Sequence, residues 1–226
     1  MGIGYNPKIV TDGLVLCLDA ANRKSYPGSG TTWSDLSGLG NNGTLVNGPT
    51  FSSNNNGSIV FDGINDYVSV TMPNPFAETI IVWVKSNTTN WNEYGWITSS
   101  RTQNGHIIHP DTGTKNVAFF VFDQSSTYVY MGGYTVNDIT IPHMYCYSTN
   151  GSNLHKAYLD GAYNFQSTTA VTRTATPSNQ ETQVGRDHLL SRYGNASIYS
   201  VIRYNRQLSD VEIQQNFQAL SGRYGI

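Results

Sequence analysis

Apolar and polar positions alternate with a period of two along most of the chain. LVLCLD (14–19), SIVFDG (58–63), DYVSV (66–70), TIIVWVK (79–85), NVAFFVFD (116–123), TYVYMG (127–132), HMYCYS (143–148), HKAYLDG (155–161) and SIYSVIRYN (197–205) all carry this pattern. Successive side chains of a strand point to opposite faces, so each stretch reads as a strand, bounded by Gly, Asn, Asp or Pro. IIVWV and VAFFVF are apolar on both faces, which predicts central strands covered on each side. Asp160-Gly161 supplies the positive φ angles of a hairpin turn, and Asn150-Gly151 offers a second corner. NGTLVNGPTF (42–51) reads as a short strand pair with turns.

The period changes only near the end of the chain. Ser209-Asp210-Val211-Glu212 fits a capping box, in which the Ser209 hydroxyl accepts from the Glu212 N–H and the Glu212 carboxylate reaches back. Asp210 favours the positive helix start. Ile213, Phe217 and Leu220 follow as one apolar stripe, and Gly222 is expected to end the helix as a left-handed cap. No linker-like stretch or internal repeat interrupts the chain. The expectation is all-β: one domain over residues 1–226, a two-sheet antiparallel jelly-roll sandwich with one short C-terminal helix.

Composition narrows what such a sandwich does. Charged residues make up 12% of the 226, against roughly 25% in ordinary domains, so Asn, Ser, Thr, Gly and Tyr supply the polarity. A net charge of −2 gives no electrostatic footing for nucleic acid or an anionic membrane. No charged start ahead of an apolar run marks a signal peptide, and no apolar stretch approaches the ~18 residues of a membrane span. Cys17 and Cys146 sit in apolar alternating runs and read as buried free thiols. A disulfide between them is left open.

SDLSGLGNNGTLVNGP (34–49) concentrates turn residues. A phosphate-binding loop needs a Gly-Lys-Ser/Thr ending before a helix, and neither the lysine nor the helix is there. Calcium is the metal that the residue types allow, through the hard oxygens of Asp35 and Asn42, with Asp66 brought in from FDGIND. The competing reading is that these side chains hydrogen-bond their own backbone and set turns.

Hydrolysis of a glycoside with retention needs two carboxyls about 5 Å apart, which alternate positions of one strand supply. The glutamates are Glu78, Glu93, Glu181 and Glu212, and the one with a carboxylate two residues away, Glu212 beside Asp210, falls at the helix start rather than on a strand and is taken up in the capping box. His106 and His109 are three apart, on opposite faces of a strand, and read as surface or turn residues rather than a zinc pair. The chain therefore reads as a non-enzyme. Aromatic residues among polar ones are the positive signal. NTTNWNEYGW (87–96) sets Trp91 and Tyr94 beside Asn92, and Tyr128 and Tyr130 share one strand face. Aromatic rings stack on the apolar faces of sugars while amides take the hydroxyls, so these five are the candidate ligand residues. Packing within a core is the alternative for each aromatic. Trp33, Trp83 and Trp96 read as core.

Several segments in series carry a resemblance. LVLCLDAANRKSYPGSGTTWSDLSGLGNNGTLVNGPTF, SIVFDGINDYVSV, IIVWVK, LHKAYLDGAYN and YSVIRYNRQLSDVEIQQNFQALSGRYGI together resemble laminin-G-like domains of the concanavalin A-like lectin/glucanase superfamily. The opening LDAANRKSYPGSGTTW and the closing QNFQALSGRYGI are similar to modules in tailed-phage structural proteins and in bacterial surface proteins. Cys17 departs from the pattern, where relatives commonly carry an aromatic. The resemblance implies a jelly roll that binds glycan or protein without catalysis. It points to a virion-associated lectin-like module of a phage fibre, tip or capsid surface that meets host glycan. The alternatives are a virion decoration protein that binds only other virion proteins, and a secreted polysaccharide-active enzyme. The expected partners are glycan or virion proteins within a homo-oligomer or larger assembly, with no nucleic acid and no membrane insertion. Calcium is the cofactor left open, and the expected location is the virion or else the extracellular or bacterial surface.

Overall fold

The computed structural model describes residues 7–94, 96–173 and 178–226. Its strands are β1 (Leu14–Asp19), β2 (Thr32–Trp33), β3 (Gly43–Val46), β4 (Thr50–Ser52), β5 (Ser58–Asp62), β6 (Tyr67–Pro73), β7 (Glu78–Ser86) and β8 (Thr98–Ser99). They continue with β9 (His106–Pro110), β10 (Asn116–Phe122), β11 (Tyr128–Thr135), β12 (His143–Thr149), β13 (His155–Leu159), β14 (Ala162–Ser167), β15 (Asn179–Val184) and β16 (Asn195–Tyr204), and end with helix α1 (Asp210–Tyr224). The first sheet has the order β14-β13-β12-β7-β16-β5-β4, with β1 also paired to β16. The second has the order β11-β10-β9-β8-β15-β6-β3-β2. Neighbouring strands are antiparallel, as in β7 with β12 and β16, or β10 with β9 and β11. The expected all-β sandwich with one terminal helix is what forms.

Alternation along β7 shows how the layers arise. Ile80, Val82 and Val84 point between the sheets and join Phe119, Val121, Tyr145, Tyr147, Ile198 and Val201 in one core. Ile81 and Trp83 point the other way, with Cys17, Met144, Cys146, Tyr158 and Tyr204, and are covered by Ile213, Leu220 and Tyr224 of α1. Both faces of β7 are therefore dry, as its two-sided apolar pattern predicts. The Trp83 ring stacks on Phe217 at 5.8 Å and tilts against Tyr224 at 4.6 Å. At the helix start both hydrogen bonds of the capping box are made.

Two expectations are corrected, and three short strands lie outside the predicted set. Gly222 lies inside the helix; the left-handed cap is Gly225, with φ 80°. β10 shares the two-sided apolar pattern of β7, yet among the described residues no helix covers its outer face, because α1 lies on the first sheet. The short strands β8, β9 and β15 escape the pattern because their inward positions include Thr98, His106 and Thr182, polar side chains buried between the sheets.

Candidate functional site

The outer face of the second sheet carries an open cleft where β9, β10 and β11 run side by side. The registers Phe120↔Ile107 and Phe120↔Tyr130 set those residues in one row, and Ala118↔His109 and Ala118↔Gly133 set the next. Phe120 is half-buried, while Tyr128 and Tyr130 are 60% and 56% exposed. Their rings lie 5.9 and 5.2 Å from Phe120. A cleft of about 330 Å³ opens here, lined by Arg101, Ile107, His109, Phe120, Tyr128, Leu190 and Arg192.

Loop residues build the charged wall. The buried Asp187 carboxylate takes Arg101 in a two-pronged pair, with Nη2 2.7 Å from Oδ2, and accepts from Arg192 Nη1 at 3.4 Å. The Leu190 N–H donates to the Asp187 carbonyl at 3.1 Å, closing a turn that projects Leu190 and Arg192 into the cleft. The Arg192 guanidinium lies 5.4 Å over the Tyr94 ring, and Tyr94 in turn stands 5.6 Å from His109. Burial pushes the His109 imidazole below its ordinary value, against the opposing pull of Asp111, so the ring sits in the cleft as a neutral aromatic. The arrangement offers flat apolar faces beside fixed guanidinium donors, the combination that holds a partly polar ring in place.

Tyr94, Tyr128 and Tyr130 are thus brought to one face, although the sequence placed only Tyr128 and Tyr130 together. Trp91 and Asn92 are corrected. Trp91 is 1% exposed and packs edge-on against Trp96 at 5.1 Å and Tyr145 at 6.3 Å, so no ring face is open to a ligand. Its place three residues from the exposed Tyr94 disguised an inward anchor. Asn92 is spent as a latch: its Nδ2 donates to the Tyr193 carbonyl and its Oδ1 accepts from Asn195 N–H. Sequence reasoning missed Arg101, Arg192, Ile107, Leu190 and Phe120, and assigned His109 to no site.

The calcium candidates are corrected too. Asp35 accepts four hydrogen bonds, from the N–H groups of Cys17, Ser37 and Asn41 and from the Ser37 hydroxyl. Asn42 Oδ1 accepts from Asp35 N–H at 2.8 Å. Both side chains set the corner, the alternative reading of that loop. Asp66 lies beyond the far end of β3, whose four residues run from Gly43, after Asn42, to Val46, paired with Tyr67. Four residues of strand are more than roughly 10 Å long, while calcium ligands all sit within about 2.6 Å of one ion. The three residues do not converge. Burial raises the Asp66 carboxyl above its ordinary value, and it accepts from Asp62 N–H. Of the two histidines, His106 is fully inside the sandwich, against the surface or turn position expected of it.

A larger hollow of about 450 Å³ lies beside the Gly-rich corner, lined by residues such as Val15, Leu39, Met72 and Phe76. It has no charged side chain among its lining residues and no ring stack, so the β9–β11 cleft is the better candidate.

No family model and no curated protein matches the chain. Solved structures do. The binding domain of botulinum neurotoxin serotype D superposes with a TM-score of 0.71 at 15% identity, over 92% of this chain and 52% of that one. The binding domain of Paraclostridial Mosquitocidal Protein 1 gives 0.70 at 15% identity, over 92% and 52%. These likenesses show the fold. The chain spans about half the length of the two toxin domains. Domain 4 of AbnA, an extracellular arabinanase of Geobacillus stearothermophilus solved with arabinotriose, gives 0.66 at 14% identity, over 94% of this chain and 99% of that domain.

Proposed function

We propose that this chain is a non-catalytic module that binds a saccharide in the β9–β11 cleft. The observation that carries the reading is the bare row of rings, Phe120, Tyr128 and Tyr130, running beside the guanidinium of Arg192. Among the described residues no helix covers it, and a clustered exposed aromatic row points to a ligand. None of the residues lining the cleft is an Asp or Glu, which leaves glycosidase chemistry without its acid and base there. The likeness to a domain solved with arabinotriose, and to toxin binding domains, supports the same reading.

Electrophoresis through gels containing arabinan, xylan, mannan, dextran or β-glucan tests it. Retardation by at least one polysaccharide, lost in Tyr128→Ala and Phe120→Ala, is the expected result. Unretarded migration in every gel, or retardation untouched by both variants, would sink the proposal.

The finer reading, a virion-borne attachment module of a tailed phage, rests on the resemblance of the opening and closing segments. Antibody labelling of purified particles tests that step, and unlabelled particles would remove it.

A further inference from the structure

We infer that the cleft is one end of a longer groove, and that the ligand is an internal stretch of a linear oligosaccharide rather than one terminal sugar. This rests on the saccharide reading of the cleft above.

A second hollow of about 190 Å³ lies on the same sheet face, with Asp111, Asn116, Ala118, Tyr130, Gly133 and Thr135 among its lining residues. The two hollows meet at the ring pair Phe120 and Tyr130, 5.2 Å apart, one ring lining each. Register gives the run of the surface. The row Phe122↔Tyr128 is followed by Phe120↔Tyr130, then Ala118↔Gly133, then Asn116↔Thr135. From first row to last is six residues along β10, about 20 Å of strand, too long for one sugar ring.

The chemistry changes along that length. Aromatic rings and Arg192 occupy one end. At the other, Thr135 Oγ1 donates to Asn116 Oδ1 at 2.6 Å, beside Asp111, whose N–H donates to the Asn116 carbonyl. Between them the surface is low and is held low by packing. A Cβ on Gly133 would press to 2.8 Å from the Val117 carbonyl oxygen and 3.3 Å from Ala118 Cβ. A terminal-sugar pocket needs a wall that stops the chain. Here the aromatic hollow runs over a saddle of Ala118 and Gly133 into a polar one. Rings stack sugars at the first, and amide, hydroxyl and carboxylate groups meet sugar hydroxyls at the second.

Calorimetry on the full chain with arabino-, xylo-, manno- and gluco-oligosaccharides of one to six units tests the groove. For the series that binds, affinity is expected to rise at least about tenfold between one unit and four, then level off. Asn116→Ala and Thr135→Ala should each flatten that rise while leaving the shortest ligand's affinity unchanged, whereas Tyr128→Ala should weaken every length. Equal affinity for one unit and six, or a rise unaltered in both Asn116→Ala and Thr135→Ala, overturns the groove and leaves the cleft standing. No binding in any series overturns the groove and the cleft together.

Discussion

Arg203 lays its guanidinium across Glu78 in the space between the sheets, with Nη2 2.6 Å and Nε 2.9 Å from Oε2. Neither side chain meets solvent. Arg173 approaches the other oxygen at 3.3 Å and reaches the Gly105 carbonyl at 3.0 Å, while Arg203 Nη2 also donates to Asn74. Removing one partner of a buried ion pair leaves an uncompensated charge, so Arg203→Met is expected to cost about 3–5 kcal/mol. Urea unfolding measures it, and an unchanged midpoint would show that the pair adds nothing.

Acid should act at the same place. His106 Nδ1 is 3.8 Å from Glu78, but burial pushes the imidazole down to about 3, and the carboxylate is already matched by two arginines, so the ring stays neutral. Below its ordinary value of 6.5 the unfolded chain takes up a proton that the folded chain refuses. Stability therefore falls as pH drops from 6.5 toward 3. Glu78 acts in the same sense. Burial alone would raise its carboxyl, yet the charges of Arg203 and Arg173 hold it below its ordinary value. Its contribution is complete above the ordinary carboxylate range and is lost as pH falls through the lowered one. The thermal midpoint should drop between pH 7 and pH 4, less steeply in His106→Gln than in the parent protein.

Trp91→Ala and Tyr128→Ala separate the core from the surface. Emptying a Trp-sized volume beside Trp96 and Tyr145 is expected to cost about 3–5 kcal/mol. Tyr128, which is 60% exposed, should cost under about 0.5 kcal/mol while abolishing retardation in polysaccharide gels. Denaturant titration beside gel electrophoresis reads both. A folded Trp91→Ala protein that loses only binding would return Trp91 to the ligand.

The thiols should be silent. Cys17 and Cys146 are unpaired and buried; burial, with Asp19 and Asp35 nearby, pushes Cys17 up to about 12, and burial raises Cys146 well above its ordinary value. The thiolate is the reactive form. A thiol-specific chromogenic reagent should label neither in native protein over hours and both in guanidinium. Rapid native labelling would contradict their placement.

Gly161 lies in the β13–β14 turn with φ 76°, and a Cβ there would meet Phe217 Cβ and Gln214 Oε1, each at 2.7 Å. Gly161→Ala should therefore strain the backbone and push on α1, destabilising by more than about 1 kcal/mol. A thermal melt checks it, and an unchanged midpoint would show that hairpin and helix yield freely.

Much of the fold was legible because strand periodicity and capping are local. LVLCLD, TIIVWVK and the Ser209 box declared themselves within a few residues. The cleft was legible only in part. Tyr94, Tyr128 and Tyr130 stood out among polar neighbours, but Arg101, Asp187 and Arg192 meet through a turn no short pattern announces. β7 and β10 are both apolar on two faces, and the chain carries a single helix pattern. One helix covers one sheet, so the outer face of the other strand had to stay open. Trp91 misled because burial is decided by distant partners such as Tyr145, invisible to a window around Trp91 itself.

The covering helix also decides which way the molecule looks. Val10 N–H donates to Asn216 of α1 and Gln215 donates to the Lys8 carbonyl, so both described ends of the chain gather on the helix side. A contact made through α1 or through the Lys8–Val10 segment would meet the molecule on its back, leaving Phe120 and its neighbouring tyrosines on the opposite side.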